Sequence, residues 1–140
     1  MNNIFNDLPI TPIAFENNID KLTDIFDSQG NYCGFLENQD KSKIIAYDNL
    51  GRFSGYFVPN CFGNTEKYDS VGNFSGFIVS DKNLVKYDKT GKYQGYYIVS
   101  INGDISEYNS SGNYLGQYLK EIDGNFVKYD SLGHRELIFK

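Results

Sequence analysis

Tyr87-Asp88-Lys89-Thr90-Gly91-Lys92-Tyr93-Gln94-Gly95-Tyr96 is the stretch whose reading decides the fold, because versions of it recur down the chain. Its anchor aromatic falls at Phe26, Tyr47, Tyr68, Tyr87, Tyr108 and Tyr129, spaced by 21, 21, 19, 21 and 21 residues. Asp follows each anchor except in the fifth copy, which has Asn109, and a Gly follows three positions later: Gly30, Gly51, Gly72, Gly91, Gly112 and Gly133. Five copies continue with an aromatic and a second Gly, as in Tyr32/Gly34, Phe53/Gly55, Phe74/Gly76, Tyr93/Gly95 and Tyr114/Gly116. A near-fixed period over six copies identifies a repeat architecture before any propensity is counted.

The physics of one copy is that of a hairpin. Asp caps a type I turn and the Gly supplies the positive φ after it, which together give a hairpin with a bulged Gly. Symmetry about Thr90 pairs Tyr87 with Tyr93, and likewise Phe26 with Tyr32, Tyr47 with Phe53, Tyr68 with Phe74 and Tyr108 with Tyr114. Each cross-strand aromatic pair contributes up to about 1 kcal/mol over an alanine pair. Extended without further irregularity, this register sets Val85 opposite Gly95 and Ile45 opposite Gly55. The second Gly then leaves room for a neighbouring ring over the backbone. Lys67/Ser75, Lys86/Gln94 and Lys128/Glu136 fall on the face opposite the rings, which reads as solvated. Past the second Gly both parities are apolar (Phe77, Ile78, Val79; Tyr96, Tyr97, Ile98, Val99), so both faces are expected to be covered there.

Between the hairpins, Asn102-Gly103 and Asp123-Gly124 read as two-residue turns, Asp81-Lys82-Asn83 as a looser one, and Pro59–Asn64 as the longest loop. The expectation is all-β: an antiparallel meander of about twelve strands in six Asp-x-x-Gly hairpins over 23–140. So many twisted strands must close or curl, as a barrel, prism or flower-like array. Residues 1–22, with two of the three prolines, read as an N-terminal arm. The last copy lacks the aromatic and second Gly, reads His134-Arg135-Glu136-Leu137, and is expected to cap an open edge with charge.

Composition agrees with strands and turns: 140 residues carry 12 Tyr, 11 Phe, 14 Gly and no Trp. A net charge of −5 without a Lys/Arg cluster argues against a nucleic-acid partner. The chain contains no apolar run long enough for a membrane helix and no secretory start, so the expectation is a cytoplasmic protein with no membrane partner. Two cysteines, Cys33 and Cys61, are too few for a disulfide framework.

Tyr47-Asp48-Asn49-Leu50-Gly51-Arg52 resembles the YD repeats of Rhs and teneurin-type proteins, whose hairpins build β-shells. The Gly-x-aromatic-x-Gly-aromatic continuation is more similar to bacterial beta-flower repeats, and Tyr93-Gln94-Gly95-Tyr96-Tyr97 resembles the core of MORN repeats without their downstream glycines. The likeness covers about residues 24–134 and implies a β-hairpin module with no catalytic residue.

Weighing the chemistry gives the same answer. The tip carboxylates Asp27, Asp48, Asp69, Asp88 and Asp130 supply one carboxylate per copy, where a calcium loop needs several, and turn capping already accounts for them. His134 and the thiols lack partners for a metal or nucleophilic site. No enzyme site, cofactor or metal is expected. Most rings are expected in the core, with Tyr56, Phe77, Tyr96, Tyr97 and Tyr118 as the candidates for a partner-binding surface. The function that follows is non-enzymatic protein binding or a structural role, in an immunity or accessory module. The alternatives are a carbohydrate-binding module using exposed tyrosines, and self-association through sheet edges.

Overall fold

The computed structural model describes residues 22–39, 43–59, 64–80 and 84–140. The expectations for the N-terminal arm, for Asp81-Lys82-Asn83, and for Cys61 and most of its loop fall outside those residues.

The strands are β1 (Leu22–Asp27), β2 (Tyr32–Gln39), β3 (Lys43–Asp48), β4 (Phe53–Pro59), β5 (Thr65–Asp69) and β6 (Phe74–Ser80). They continue as β7 (Leu84–Asp88), β8 (Tyr93–Val99), β9 (Ile105–Asn109), β10 (Tyr114–Lys120), β11 (Phe126–Asp130) and β12 (Arg135–Phe139). Each pairs antiparallel with its sequence neighbours, and β12 returns to β1, so the meander closes into a barrel. Ile25 pairs with Phe139 and Asp27 with Leu137 at the seam, and Asp24 and Lys140 exchange two backbone hydrogen bonds there. The broken last copy is therefore a closing strand and guards no open edge. Closure saturates the backbone donors that an edge would expose.

Each tip is the expected turn. In the fourth copy the Gly91 N–H donates to the Asp88 carbonyl (3.0 Å) and the Asp88 N–H to the Lys92 carbonyl (2.9 Å). Asp88 Oδ1 accepts from the N–H groups of Thr90 and Lys92, each at 2.9 Å. Asn109 makes the same two bonds in the fifth copy, so the turn needs the acceptor oxygen and not the charge. The opposite end of the barrel uses the same construction. Gly103 N–H donates to the Ser100 carbonyl and Ser100 N–H to the Asp104 carbonyl, and Glu121 to Asn125 repeats the pattern. These are three-residue loops with a bulged Gly, where Asn102-Gly103 and Asp123-Gly124 alone read as two-residue turns.

A second irregularity shifts the register beyond the anchor pair. Tyr87 faces Tyr93, but Gly95 faces Lys86, and Gln94 is the extra residue between them. Ala46 faces Gly55 in the same way. The expected Val85–Gly95 and Ile45–Gly55 pairs are therefore displaced by one. A one-residue slip exchanges the two faces of a strand, and this bulge turns Tyr93 to the outside while Gly95 and Tyr97 beyond it are buried.

The role of the second Gly changes with it. Gly76 has φ +145°, and a Cβ there would lie 2.6 Å from the Tyr87 carbonyl oxygen; at Gly34, Gly95 and Gly116 the approach to the next strand is closer still. The glycine makes room for backbone, not for a ring.

The core occupies the lumen. Ile25, Leu36, Ile44, Ala46, Phe57, Ile78, Leu84, Tyr97, Ile105, Tyr118, Phe126, Leu137 and Phe139 are buried as one cluster. Most of the anchor and hairpin aromatics instead stand on the outer wall, contrary to the expectation that they form the core. The face opposite them is not solvated: it is the lumen, and Lys67 and Lys128 on it are each only 9% exposed. Of the apolar ends, the inward residues such as Ile78 and Tyr97 are buried, while Ile98 and Val99 remain exposed.

Candidate functional site: an outer aromatic belt and a charged lumen mouth

Closure lines up the copies, so one repeat position becomes a ring around the barrel. On the outside this produces a belt of aromatic contacts. Phe35 stacks on Tyr47 (4.5 Å between centroids), Tyr56 on Tyr68 (5.0 Å), Phe77 on Tyr87 (4.9 Å) and Tyr96 on Tyr108 (4.9 Å), with planes within 14° of parallel. These stacks join strands of successive hairpins. The pairs within each hairpin (Phe26–Tyr32, Tyr47–Phe53, Tyr68–Phe74, Tyr87–Tyr93, Tyr108–Tyr114) meet edge to face at 5.7–6.4 Å. Contacts run unbroken from Phe35 on β2 to Tyr93 on β8. Offset and T-shaped pairs at these distances contribute about 0.5–1.5 kcal/mol each beyond area burial. Lys43 and Lys140 lay their ammonium groups over Tyr56 and Phe26, each 5.1 Å from the ring centroid.

The belt changes character at β10–β12. Gln117 faces Tyr129 where other copies place two rings. Glu121 there accepts from the Tyr129 hydroxyl (2.7 Å) and pairs with Arg135 (2.6 Å). That sector is an ion-paired polar patch, set by the substitutions that make the last copy irregular.

Of the expected partner-binding residues, Tyr56, Phe77 and Tyr96 stand in the belt. Tyr97 and Tyr118 do not. They point into the lumen, 1% and 0% exposed, so no macromolecular partner reaches them. The two neighbours Tyr96 and Tyr97 differ only in strand parity. Burial raises the Tyr97 phenol well above its usual pKa, with the Glu107 carboxylate adding to the effect. Its hydroxyl lies beside that carboxylate without reaching hydrogen-bond geometry.

The lumen mouth on the tip side is the second candidate. The residue before each anchor points inward, giving the ring Ile25, Ala46, Lys67, Lys86, Glu107 and Lys128. Above it stand the bulge residues. Cys33 packs against the core, and burial lifts its thiol pKa. Glu136 pairs with Lys128 at 3.8 Å. Lys67 and Lys128 also lie over the rings of Phe57 and Tyr118 (5.8 and 5.9 Å). Sequence reasoning missed this mouth because the unseen bulge reversed which side of the strand was enclosed.

The other chemical candidates stay at the surface. Turn hydrogen bonds lower the Asp27, Asp48 and Asp130 carboxyls, led by the backbone N–H four residues on, and in Asp88 the Thr90 hydroxyl leads. His134 is exposed, with Nδ1 3.4 Å from Asp130. Among the described residues no three His, Cys, Asp or Glu side chains gather as a metal site. No described helix is long and apolar enough to cross a membrane.

The chain is a β-hairpin repeat protein, a closed barrel of twelve antiparallel strands. No protein-family model matches it, and no curated protein matches its sequence.

Proposed function

We propose that the protein is a non-enzymatic binding module that recognises another protein through its outer aromatic belt. The observation that carries this reading is the belt itself: a chain of touching rings on the outer wall, with Tyr32, Phe53, Tyr93 and Tyr114 about 40% exposed. Aromatic side chains give large contact area at low entropic cost and dominate protein interfaces. Exposed apolar residues on the turns, Leu50, Val71 and Leu132 at one end and Ile101 and Ile122 at the other, extend apolar surface beyond the belt. The net charge of −5 suits a basic partner, as expected of an immunity or accessory module. The tip grammar supports a place among the bacterial YD-like or beta-flower hairpin modules.

A carbohydrate partner is the weaker reading. A sugar stacks on a free ring face, and the flush stacks between hairpins cover one face of each of their eight rings. Self-association through sheet edges loses its basis, since every described strand has two partners.

The test compares pull-downs from the native cell using the wild type and a Tyr56→Ala/Phe77→Ala/Tyr96→Ala triple variant that keeps its far-UV spectrum. A partner held by the first and lost by the second supports the reading. Repeated absence of any partner above background, or retention by the triple variant, overturns it. Glycan-array binding by the wild type would transfer the belt to the carbohydrate reading.

A further inference from the structure

We infer that the lumen mouth between β5 and β7 binds a small anion through an oxyanion head, a carboxylate or a phosphate. The inference does not rest on the proposed belt function, although Phe77 and Tyr87 of the belt also contribute to the recess lining. A recess of about 210 Å³ opens there, and its lining includes Lys67, Ser75, Gly76, Lys86, Asp88 and Gln94. The register explains its position. Lys67 pairs across from Gly76, and Lys86 pairs across from Ile78 on the other flank of the same strand. The two inward lysines therefore bracket β6 where Gly76 contributes no side chain. The bulge residues Ser75 and Gln94 add a hydroxyl and an amide.

Charge selects the ligand. The one carboxylate in the lining, Asp88, is already engaged. Its Oδ1 accepts from the Thr90 N–H and hydroxyl and from the Lys92 N–H, and its Oδ2 accepts from the Gln94 amide (3.3 Å). The Lys86 side chain has no hydrogen-bond or ion-pair partner among the described residues. A second ammonium, on the largely enclosed Lys67, stands across the strand. Two ammonium groups against one carboxylate, Asp88, leave the lining with a net charge of +1, which with the neutral donors favours an oxyanion through charge-assisted hydrogen bonds in a site of reduced dielectric. The volume corresponds to about seven water molecules, below the range of drug-sized pockets, so the ligand is small.

No other copy offers this arrangement. Ile25 and Ala46 hold the pre-anchor seats on one side. On the other, Glu107 brings negative charge and Lys128 is paired with Glu136. The 19-residue spacing joins the third and fourth anchors, the two that follow Lys67 and Lys86.

The experiment is an NMR titration of the full chain with inorganic phosphate and, separately, with acetate, at ionic strength held constant by sodium chloride. Saturable shifts confined to the amides of Ser75, Gly76, Lys86 and Gln94, with a millimolar-range Kd, are the expected result. Saturation by phosphate alone assigns a phosphate head, and saturation by acetate alone a carboxylate. Lys86→Gln is expected to weaken binding about tenfold or more, and Lys86→Arg to retain it. Two outcomes overturn the inference. One is no saturable shift with either anion up to roughly 50 mM. The other is equal binding by the wild type and a folded Lys86→Gln variant.

Discussion

Gly76→Ala places a methyl carbon where the next strand's backbone already lies. The Cβ would sit 2.6 Å from the Tyr87 carbonyl oxygen and 3.4 Å from the Asp88 Cα, where ordinary contact begins near 3.4 Å. Neither atom belongs to a side chain that can swing away, because both are main chain of β7 in register with β6. Two costs therefore add. Holding alanine at φ +145°, a conformation nearly confined to glycine, costs about 1–3 kcal/mol. Pushing β7 outward costs a further 1–3 kcal/mol or so, the usual range for overpacking. The sum, roughly 2–6 kcal/mol, is a large fraction of the 5–15 kcal/mol that holds a typical domain together. Gly72→Ala in the same hairpin is the control: φ is +86° and nothing lies within 4 Å of its Cβ. It should cost only the left-handed conformation, about 1–2 kcal/mol. Urea unfolding followed by far-UV circular dichroism separates the two. If Gly76→Ala destabilises no more than Gly72→Ala, close backbone approach is not what the second glycine provides.

Other outcomes follow from the tips and the core. Turn hydrogen bonds hold the folded pKa values of Asp27, Asp48, Asp88 and Asp130 below the usual aspartate value. Their contribution to stability is thus complete above the unfolded pKa and lost as pH falls through the folded one. Thermal melts should be flat near neutrality and decline below about pH 4. Asp88→Asn, which the Asn109 copy shows can make the same turn bonds, should shrink that decline without breaking the hairpin. Tyr97→Phe removes a buried hydroxyl without a hydrogen-bond partner, and chemical denaturation should find stability unchanged or raised by up to about 1 kcal/mol. Cys33, in contact with the core and with its thiol pKa raised by burial, should be alkylated more slowly than a free thiol at neutral pH in a Cys61→Ser background, as mass spectrometry would show.

Turn chemistry is local, and that is why it was legible. The Asp carboxylate and the glycine three residues later act within five residues, so the six tips, the anchor pairs and the all-β meander follow from spacing alone. The belt was half legible. The sequence offers Tyr56, Phe77, Tyr96, Tyr97 and Tyr118 alike for a partner-binding surface, yet Tyr97 and Tyr118 lie on the other side of the wall. Tyr97 and Tyr96 have the same chemistry and adjacent numbers, and nothing local separates an inward from an outward ring.

By itself, then, the sequence determined the repeat, its turns and the number of strands, because those depend on φ preferences and on hydrogen bonds a few residues apart. Which face became interior was decided only in the tertiary structure. It depends on the bulge between Tyr93 and Gly95, on close approach of neighbouring strands, and on β12 meeting β1. Once the sheet closed, the face with lysines and glycines became the lumen, and the rings that looked like a core became an outer belt. The physical reason is geometric. Successive side chains of a strand point to opposite faces, so once one parity forms the buried cluster in the lumen, the rings of the other parity pack against one another outside.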